Sequence, residues 1–399
     1  MVRSARRVEV GGSARHIGLF GIYGAGNYGN DESARALAAL LREHDESVRI
    51  TLLVPHAEGV AAAFDFSAIG FQRDAAHRDP MSRIVSKLRE FQRIYTAVGQ
   101  FDQAVVCGSG VLQHVRGRWP GGVLTWMLAL SMACRLRRVP LAWFAVGGSP
   151  SMPVIPRLVA RLAAWGASYR SYRDEMTAAS LGDVAKGSAV VSDVVFSRAE
   201  ALEDRRSSGR QNGPILRIGL SVMDYDPPTD EMKQRYLETL VSVGRKWLAA
   251  GAEIVFLLGD SADEPMTRLV ADRVHSEDLS RVRIVHGPFE KVLKAASECD
   301  VVVASRYHVL IAGALAHRPL VALSHMAKDD ALMDRLGLAP YVLRAGALDD
   351  RELREMVETA FAEVSSSMTC LTTALPELHA VVRTEFERSG LGDSAYRRV

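Results

Sequence analysis

Two series of short apolar runs, each followed by a stretch of helical periodicity, dominate this 399-residue chain. In the first series, residues 17–22, 48–54, 103–107, 141–146 and 189–191 have strand length and are mostly apolar or β-branched, and 168–171 reads as a further short strand. Helices are expected over 32–41, 84–98, 123–136 and 155–165. The series restarts with strands at 216–222, 253–258, 282–285, 301–304 and 320–323, separated by helices that include 230–250 and 266–275. Runs without polar alternation are strands buried on both faces, and alternation with helices supplies the cover. The pattern predicts an α/β fold of two Rossmann-like domains with mostly parallel sheets, and an interdomain cleft between them. Residues 201–213 are charged, polar and glycine-containing, the composition of a linker. The expected units are 1–205, 206–370, and a final helix over 371–399 that packs back on the first domain.

The bulk numbers exclude several classes. Lys+Arg exceeds Asp+Glu by only two (49 against 47), so bulk electrostatic binding of nucleic acid is not expected. Residues 123–133 form the longest apolar stretch, too short to span a bilayer, and no apolar signal core precedes the first strand. A cytoplasmic protein is expected. Small arginine clusters, Arg3, Arg6 and Arg7 and then Arg135, Arg137 and Arg138, read as solvated ends; their other reading is peripheral contact with the inner face of a membrane. Cys107, Cys134, Cys299 and Cys370 are widely spaced and read as reduced thiols; no metal-ligand spacing occurs, and no metal or redox cofactor is expected.

Chemistry concentrates at strand ends. Val301-Val302-Val303 leads into Ser305-Arg306-Tyr307-His308 and then a helix rich in small residues. A strand-to-helix turn offers free backbone N–H groups and a helix dipole to anions. A guanidinium adds a planar grip, and an imidazole moves protons near neutral pH. Glycines 24, 26 and 29 after the first strand have the bare spacing of a dinucleotide fingerprint, with Asn27 between them. The second strand ends in Val54-Pro55-His56 rather than an acidic residue, and Asp31 and Glu32 would repel a pyrophosphate, so a dinucleotide is disfavoured. The loop reads instead as a tight turn with Asp31 capping the helix, or as an acceptor-binding or catalytic loop. Gly108 and Gly110 follow a second strand, with Gln113 and His114 beyond. Arg173-Asp174 reads as a surface pair or, with Arg173 facing the cleft, as a second anion-binding prong. Asp193 reads as a cap at a strand end. Lys328 reads as a solvated residue or an anion contact, and Asp260 and Asp263 as loop and cap residues.

Taken in order, the Gly-x-Gly-Asn-x-Gly loop at 24–29 with Asp31, the glycine loop with Leu112-Gln113, Arg173-Asp174, Asp193 with Phe196, Ser305-Arg306-x-His308 and the helix near Lys328 resemble the polysaccharide pyruvyl transferase family. The resemblance spans about residues 17–340. It implies a glycosyltransferase-B-like arrangement. It also implies transfer of the enolpyruvyl group of phosphoenolpyruvate to a sugar of a cell-surface polysaccharide or glycolipid precursor, giving a pyruvate ketal and phosphate. The chain departs from the family by placing Asn30 between Gly29 and Asp31.

The residues suit such chemistry. A carboxylate and a phosphate need two or three cations, for which Arg173, Arg306 and Lys328 are candidates. His308 is the candidate acid, and Asp31 or Asp174 the candidate base. Gly24, Gly26, Asn27, Gly108, Gly110 and Asp174 complete the expected substrate-binding set. The partners implied are phosphoenolpyruvate and a sugar acceptor, either a glycan, a glycolipid or a lipid-linked precursor. The alternative on the same fold is a glycosyltransferase that uses a nucleotide-sugar, with Arg306 and Lys328 on the diphosphate.

Overall fold

A computed structural model describes residues 14–72, 80–108, 110–112, 122–149, 151–199, 217–274 and 279–393. The expected linker at 201–213, the basic cluster at 3–7, and Gln113 and His114 lie outside the described residues.

The first sheet contains β1 (His16–Phe20), β2 (Arg49–Val54), β3 (Ser67–Gly70), β4 (Gln103–Cys107), β5 (Leu141–Val146), β6 (Tyr169–Tyr172) and β7 (Ala189–Val190), all in parallel pairs, in the order β3-β2-β1-β4-β5-β6-β7. Its helices are α1 (Tyr28–His44), α2 (Val60–Ala63), α3 (Pro80–Val98), α4 (Val123–Arg137), α5 (Val154–Trp165) and α6 (Glu175–Leu181). The second sheet contains β8 (Arg217–Ser221), β9 (Glu253–Leu257), β10 (Val282–Val285), β11 (Val301–Ala304), β12 (Leu320–Ser324) and β13 (Val342–Arg344), also parallel, in the order β10-β9-β8-β11-β12-β13. It carries α7 (Asp230–Ala249), α8 (Glu264–Val274), α9 (Phe289–Ser297), α10 (Tyr307–Leu315), α11 (Ala327–Arg335) and α12 (Asp350–Ala362). The fold is α/β, with two Rossmann-like parallel sheets.

The two-residue period of a strand accounts for the burial. In β4, Val105 and Cys107 join one apolar core, and Ala104 and Val106 join another on the opposite face. The second core contains α3, α4 and α5. The first is continuous with the core of the second sheet and with the last helix, α13 (Val364–Arg388). That helix starts at Val364, before the expected 371. Along its C-terminal half, Phe386 meets Phe144 edge-on, Arg383 pairs with Glu43 at 2.7 Å, and Glu385 accepts from the Tyr169 hydroxyl. Just beyond the helix, the Leu391 carbonyl accepts from Arg15.

Helix α1 begins earlier than its sequence pattern, at Tyr28 rather than residue 32. Asn27 caps it, its side chain accepting from the Asn30 N–H at 3.0 Å. The reading of Asp31 as the cap is therefore corrected. Asp31 lies inside the first turn, and its side chain accepts from the Gly24 N–H at 2.7 Å, bracing the loop from within. β5 is also less regular than its apolar run suggests. Its register shifts between Trp143 and Val146, and Ala145 has φ 53°, a conformation costly for a side chain with a Cβ. The bulge delivers Gly147 against the Arg173 guanidinium, where an added Cβ would collide.

Contacts between the units are polar as well as apolar. Arg198 ends a 3-10 turn (Val194–Arg198) and pairs both with the fully buried Glu32 on α1 and with Glu290 on α9, the latter at 3.0 Å. Burial outweighs Arg198 and pushes the Glu32 carboxyl up to about 7. Arg198→Ala would leave Glu32 without its nearest cation, and a loss of about 3 kcal/mol is expected in urea unfolding at pH 8. The loss should shrink at pH 5. Raising the folded pKa of a carboxyl favours the folded state where the group holds its proton, and that contribution disappears as pH rises through the folded value.

Candidate active site

In open parallel sheets, ligands bind beyond the carboxyl ends of the strands, where the strand order reverses. Here the reversals fall between β1 and β4 in the first sheet and between β8 and β11 in the second. Residues 21–29, the Gly108 loop, residues 222–224 and Ser305-Arg306 therefore mark the functional edge of each sheet.

These edges face one another and touch. The Tyr28 N–H donates to the Gly259 carbonyl at 3.2 Å, and the Ser261 N–H donates to the Gly26 carbonyl at 2.8 Å. The Asn27 side-chain amide donates to Asp260 at 2.9 Å. Gly26 has φ 89°, and a Cβ there would overlap the Ser261 side chain, so both its conformation and its surroundings select glycine. Gly29 is held by contact alone, since a Cβ would overlap the His308 ring. The Gly26 carbonyl and the Asn27 side-chain NH2 are thus spent on the other unit. Gly108 (φ 56°) packs on Ser33, and Gly110 lies in the same loop, which bridges through Leu112 to Gly148.

At the centre is Asp193, fully buried at the start of the 3-10 turn. One of its oxygens accepts from the Val195 N–H at 3.1 Å. The other lies 3.5 Å from His308 Nε2 and 3.6 Å from Arg173 Nη1. Burial would raise its pKa, yet His308 and Arg173 hold it below the usual carboxylate range. The separations are ionic rather than tight hydrogen bonds, so these groups keep hydrogen-bonding capacity. The contact crosses the cleft: Asp193 follows the first sheet and His308 begins α10 of the second.

Arg173 is itself buried and pairs with Asp174 at 3.6 Å. Asp174 caps α6 by accepting from the Thr177 N–H and hydroxyl, each at 2.7 Å. The Arg173 guanidinium lies 4.5 Å from the centre of the Tyr307 ring, and Lys328 Nζ lies 5.6 Å from the same ring. Arg173, Asp174, Asp193, Tyr307, Lys328 and Arg335 line a common, small cavity. Lys328 is partly buried at the start of α11. Burial, with Arg173 and Arg306 nearby, pushes its ammonium down to about 8.

Arg306, at the N-cap of α10, makes a two-pronged pair with the fully buried Asp263, with distances of 2.5 and 2.6 Å. Asp263 also accepts from the Asp224 N–H at 2.8 Å. Ser305 shares a 2.7 Å hydrogen bond with the buried Tyr236 hydroxyl. The structure thus brings His308, Arg173, Asp174 and Lys328 together, with Arg306 close to Lys328. Asp31 is attached to the glycine loop, and no contact among the described residues joins it to His308. The expected set omitted Asp193 and Asp263. Their signal was faint: single acids beside apolar runs, which usually mean caps. Among the described residues, no cluster of His, Cys, Asp and Glu is arranged to hold a metal ion.

Comparison with known proteins identifies the class. The family model of polysaccharide pyruvyl transferases matches residues 27–325, and the chain belongs to that family. No curated protein matches the chain by sequence. Among solved structures, UDP-GlcNAc 2-epimerase from Neisseria meningitidis bound to UDP-GlcNAc superposes with TM-score 0.62 at 11% identity, covering 95% of this chain and 100% of that one. A putative UDP-N-acetylglucosamine 2-epimerase from Listeria monocytogenes gives 0.58 at 11% identity, covering 94% and 97%. A glycosyltransferase from Rickettsia africae gives 0.56 at 12% identity, covering 96% and 99%. The architecture is that of the glycosyltransferase and epimerase enzymes.

These likenesses correct the expected phosphoenolpyruvate donor and ketal-forming transfer, because the matching architectures are those of nucleotide-sugar enzymes. The charge pattern agrees with the correction. A compact carboxylate-phosphate needs several uncommitted cations, whereas Arg173 and Arg306 already face buried carboxylates. Gly29→Ala is expected to displace the His308 ring from Asp193 and open the 28–259 contact. The check is a thermal unfolding midpoint lowered by about 1–2 °C, the effect of about 1 kcal/mol in a chain of this length.

Proposed function

We propose that the chain is a transferase of the GT-B type that takes a nucleoside-diphosphate sugar as donor and a sugar hydroxyl as acceptor. One observation carries the reading. Two helix N-termini, those of α10 and α11, open at the carboxyl edge of the second sheet and bear Arg306 and Lys328. Backbone N–H groups, helix dipoles and two cations form a seat for a diphosphate. The guanidinium of Arg306 uses Nε and Nη2 on Asp263, leaving Nη1 for a phosphate oxygen.

In this reading, residues 206–370 hold the donor and residues 1–205 the acceptor, with the helix α13 strapped across the first unit. His308 transfers the acceptor or leaving-group proton, and Asp193 orients its ring and stabilises its charged form. Arg173 keeps Asp193 ionised. Asp31 shapes the glycine loop, Gly108 and Gly110 line the acceptor side, and Asp174 fixes Arg173. No helix among the described residues is long and apolar enough to cross a membrane, and we place the enzyme in the cytoplasm.

Calorimetric titration with UDP and UDP-GlcNAc tests the donor. Saturable binding is expected, and binding of phosphoenolpyruvate without either nucleotide would overturn the reading. The affinity should fall as pH rises through about 8. Below that value Lys328 carries its charge toward the diphosphate; above it the charge is lost, and a bound anion must pull a proton back. Lys328→Met should weaken binding about tenfold near pH 7 and flatten the pH dependence.

A further inference from the structure

The two faces of the first sheet are finished differently. One joins the shared core with α1 and α13. The other is covered by α3, α4 and α5, and those helices keep large apolar side chains in solvent. Ten of the twelve exposed large hydrophobic side chains among the described residues lie on them. On α5, Val154, Leu158, Leu162 and Trp165 recur every three or four residues and form a stripe along one side. The opposite side of the same helix, through Ala160, Ala163 and Ala164, packs into the core. Val154 is 71% exposed and Trp165 63%. Arg135, near the end of α4, lies 4.4 Å over the Trp165 ring and joins the two helices into one surface.

The charge on this face is one-sided. α3, α4 with its cap Arg138, and α5 carry nine lysines and arginines. Their single carboxylate is Glu90, which is buried and bonded to Lys87 and to the Trp126 indole, both at 2.7 Å. The whole chain is nearly balanced at 49 basic to 47 acidic residues, so the bias is local.

We infer that α3, α4 and α5 form a docking surface for an anionic lipid bilayer, with the α5 stripe entering the interface. An aliphatic and aromatic stripe bordered by guanidiniums has the chemistry of an interfacial helix: the rings and branched chains reach the acyl boundary while the arginines stay at the headgroups. A second copy of the chain is the poorer occupant. A two-fold contact through this face would set arginines against arginines with no exposed carboxylate from these helices to offset them. The orientation also has a consequence. α5 follows the carboxyl end of β5, so Val154 and Ile155 adjoin the edge of the sheet that bears the cleft. Docking there brings the mouth of the cleft to the membrane surface, within reach of an acceptor on a lipid tail. The surface itself does not rest on the donor assignment.

The test is co-sedimentation of the full chain with vesicles of phosphatidylcholine alone and of phosphatidylcholine mixed equally with phosphatidylglycerol. Binding to the mixed vesicles should be about tenfold or more tighter and should weaken in high salt. The double substitution Leu158→Glu with Leu162→Glu should abolish it while leaving the thermal midpoint and UDP binding unchanged, because both side chains project into solvent. Arg157→Glu with Arg161→Glu should remove the preference for the anionic vesicles. Failure to sediment with either vesicle overturns the inference, as does equal binding by wild type and the leucine variant. A concentration-dependent dimer that is lost in the leucine variant, with no vesicle binding, would assign the face to a second copy instead.

Discussion

The buried carboxylate of Asp193 is the interaction on which the rest of the cleft depends. A full charge without exposure survives in a protein only when opposite charges compensate it. Here the compensation comes from two directions, Arg173 on the first sheet and His308 on the second. The arrangement therefore fixes more than a local geometry. It holds the start of α10 against the 3-10 turn after β7, and the Gly29 contact sets the closest approach that the His308 ring allows. Tyr307 completes the unit by offering its ring to Arg173 and Lys328, which holds cations near the site without using carboxylate charge.

Pairing decides which charges a ligand meets. Counting arginines suggests a strongly positive clamp, but Asp263 occupies two donors of Arg306, and Asp174 and Asp193 face Arg173. What remains for an anion is the outer edge of Arg306, the ammonium of Lys328 and the N-termini of two helices. Such a seat is graded rather than concentrated. It suits a diphosphate that is also held by the groups on either side of it, and it suits a compact trianion poorly. Lys328 is the sensitive element, because burial, with Arg173 and Arg306 nearby, holds its pKa down at about 8.

The two faces of the first sheet divide the remaining tasks. One is continuous with the core of the second unit and is strapped by α13, with Arg198 bridging Glu32 and Glu290 at its margin. The other keeps its own core and an outer surface that is apolar and basic together. The attachment of the first face orients the second relative to the cleft.

Much of the fold was written in the sequence. β-branched runs of strand length form strands whatever surrounds them, and β4, β5, β10 and β11 run where their apolar residues do. Helix starts were less legible. α1 reaches back to Tyr28 because Asn27 and the second unit satisfy its first turn, and α13 reaches back to Val364, ahead of where its apolar pattern pointed. Arg306 and His308 stood out because a strand-to-helix turn confines them locally. Asp193 and Asp263 did not, since a cap and a buried counter-ion look alike until the partner is known, and the partners lie 115 and 43 positions away in the chain. By itself the sequence determined two parallel α/β sheets and the turns that carry charged residues, because strand length, periodicity and turn chemistry are local. Only the tertiary structure decided which charges neutralise one another and which helix face is left for a partner, because those depend on residues brought together from distant parts of the chain.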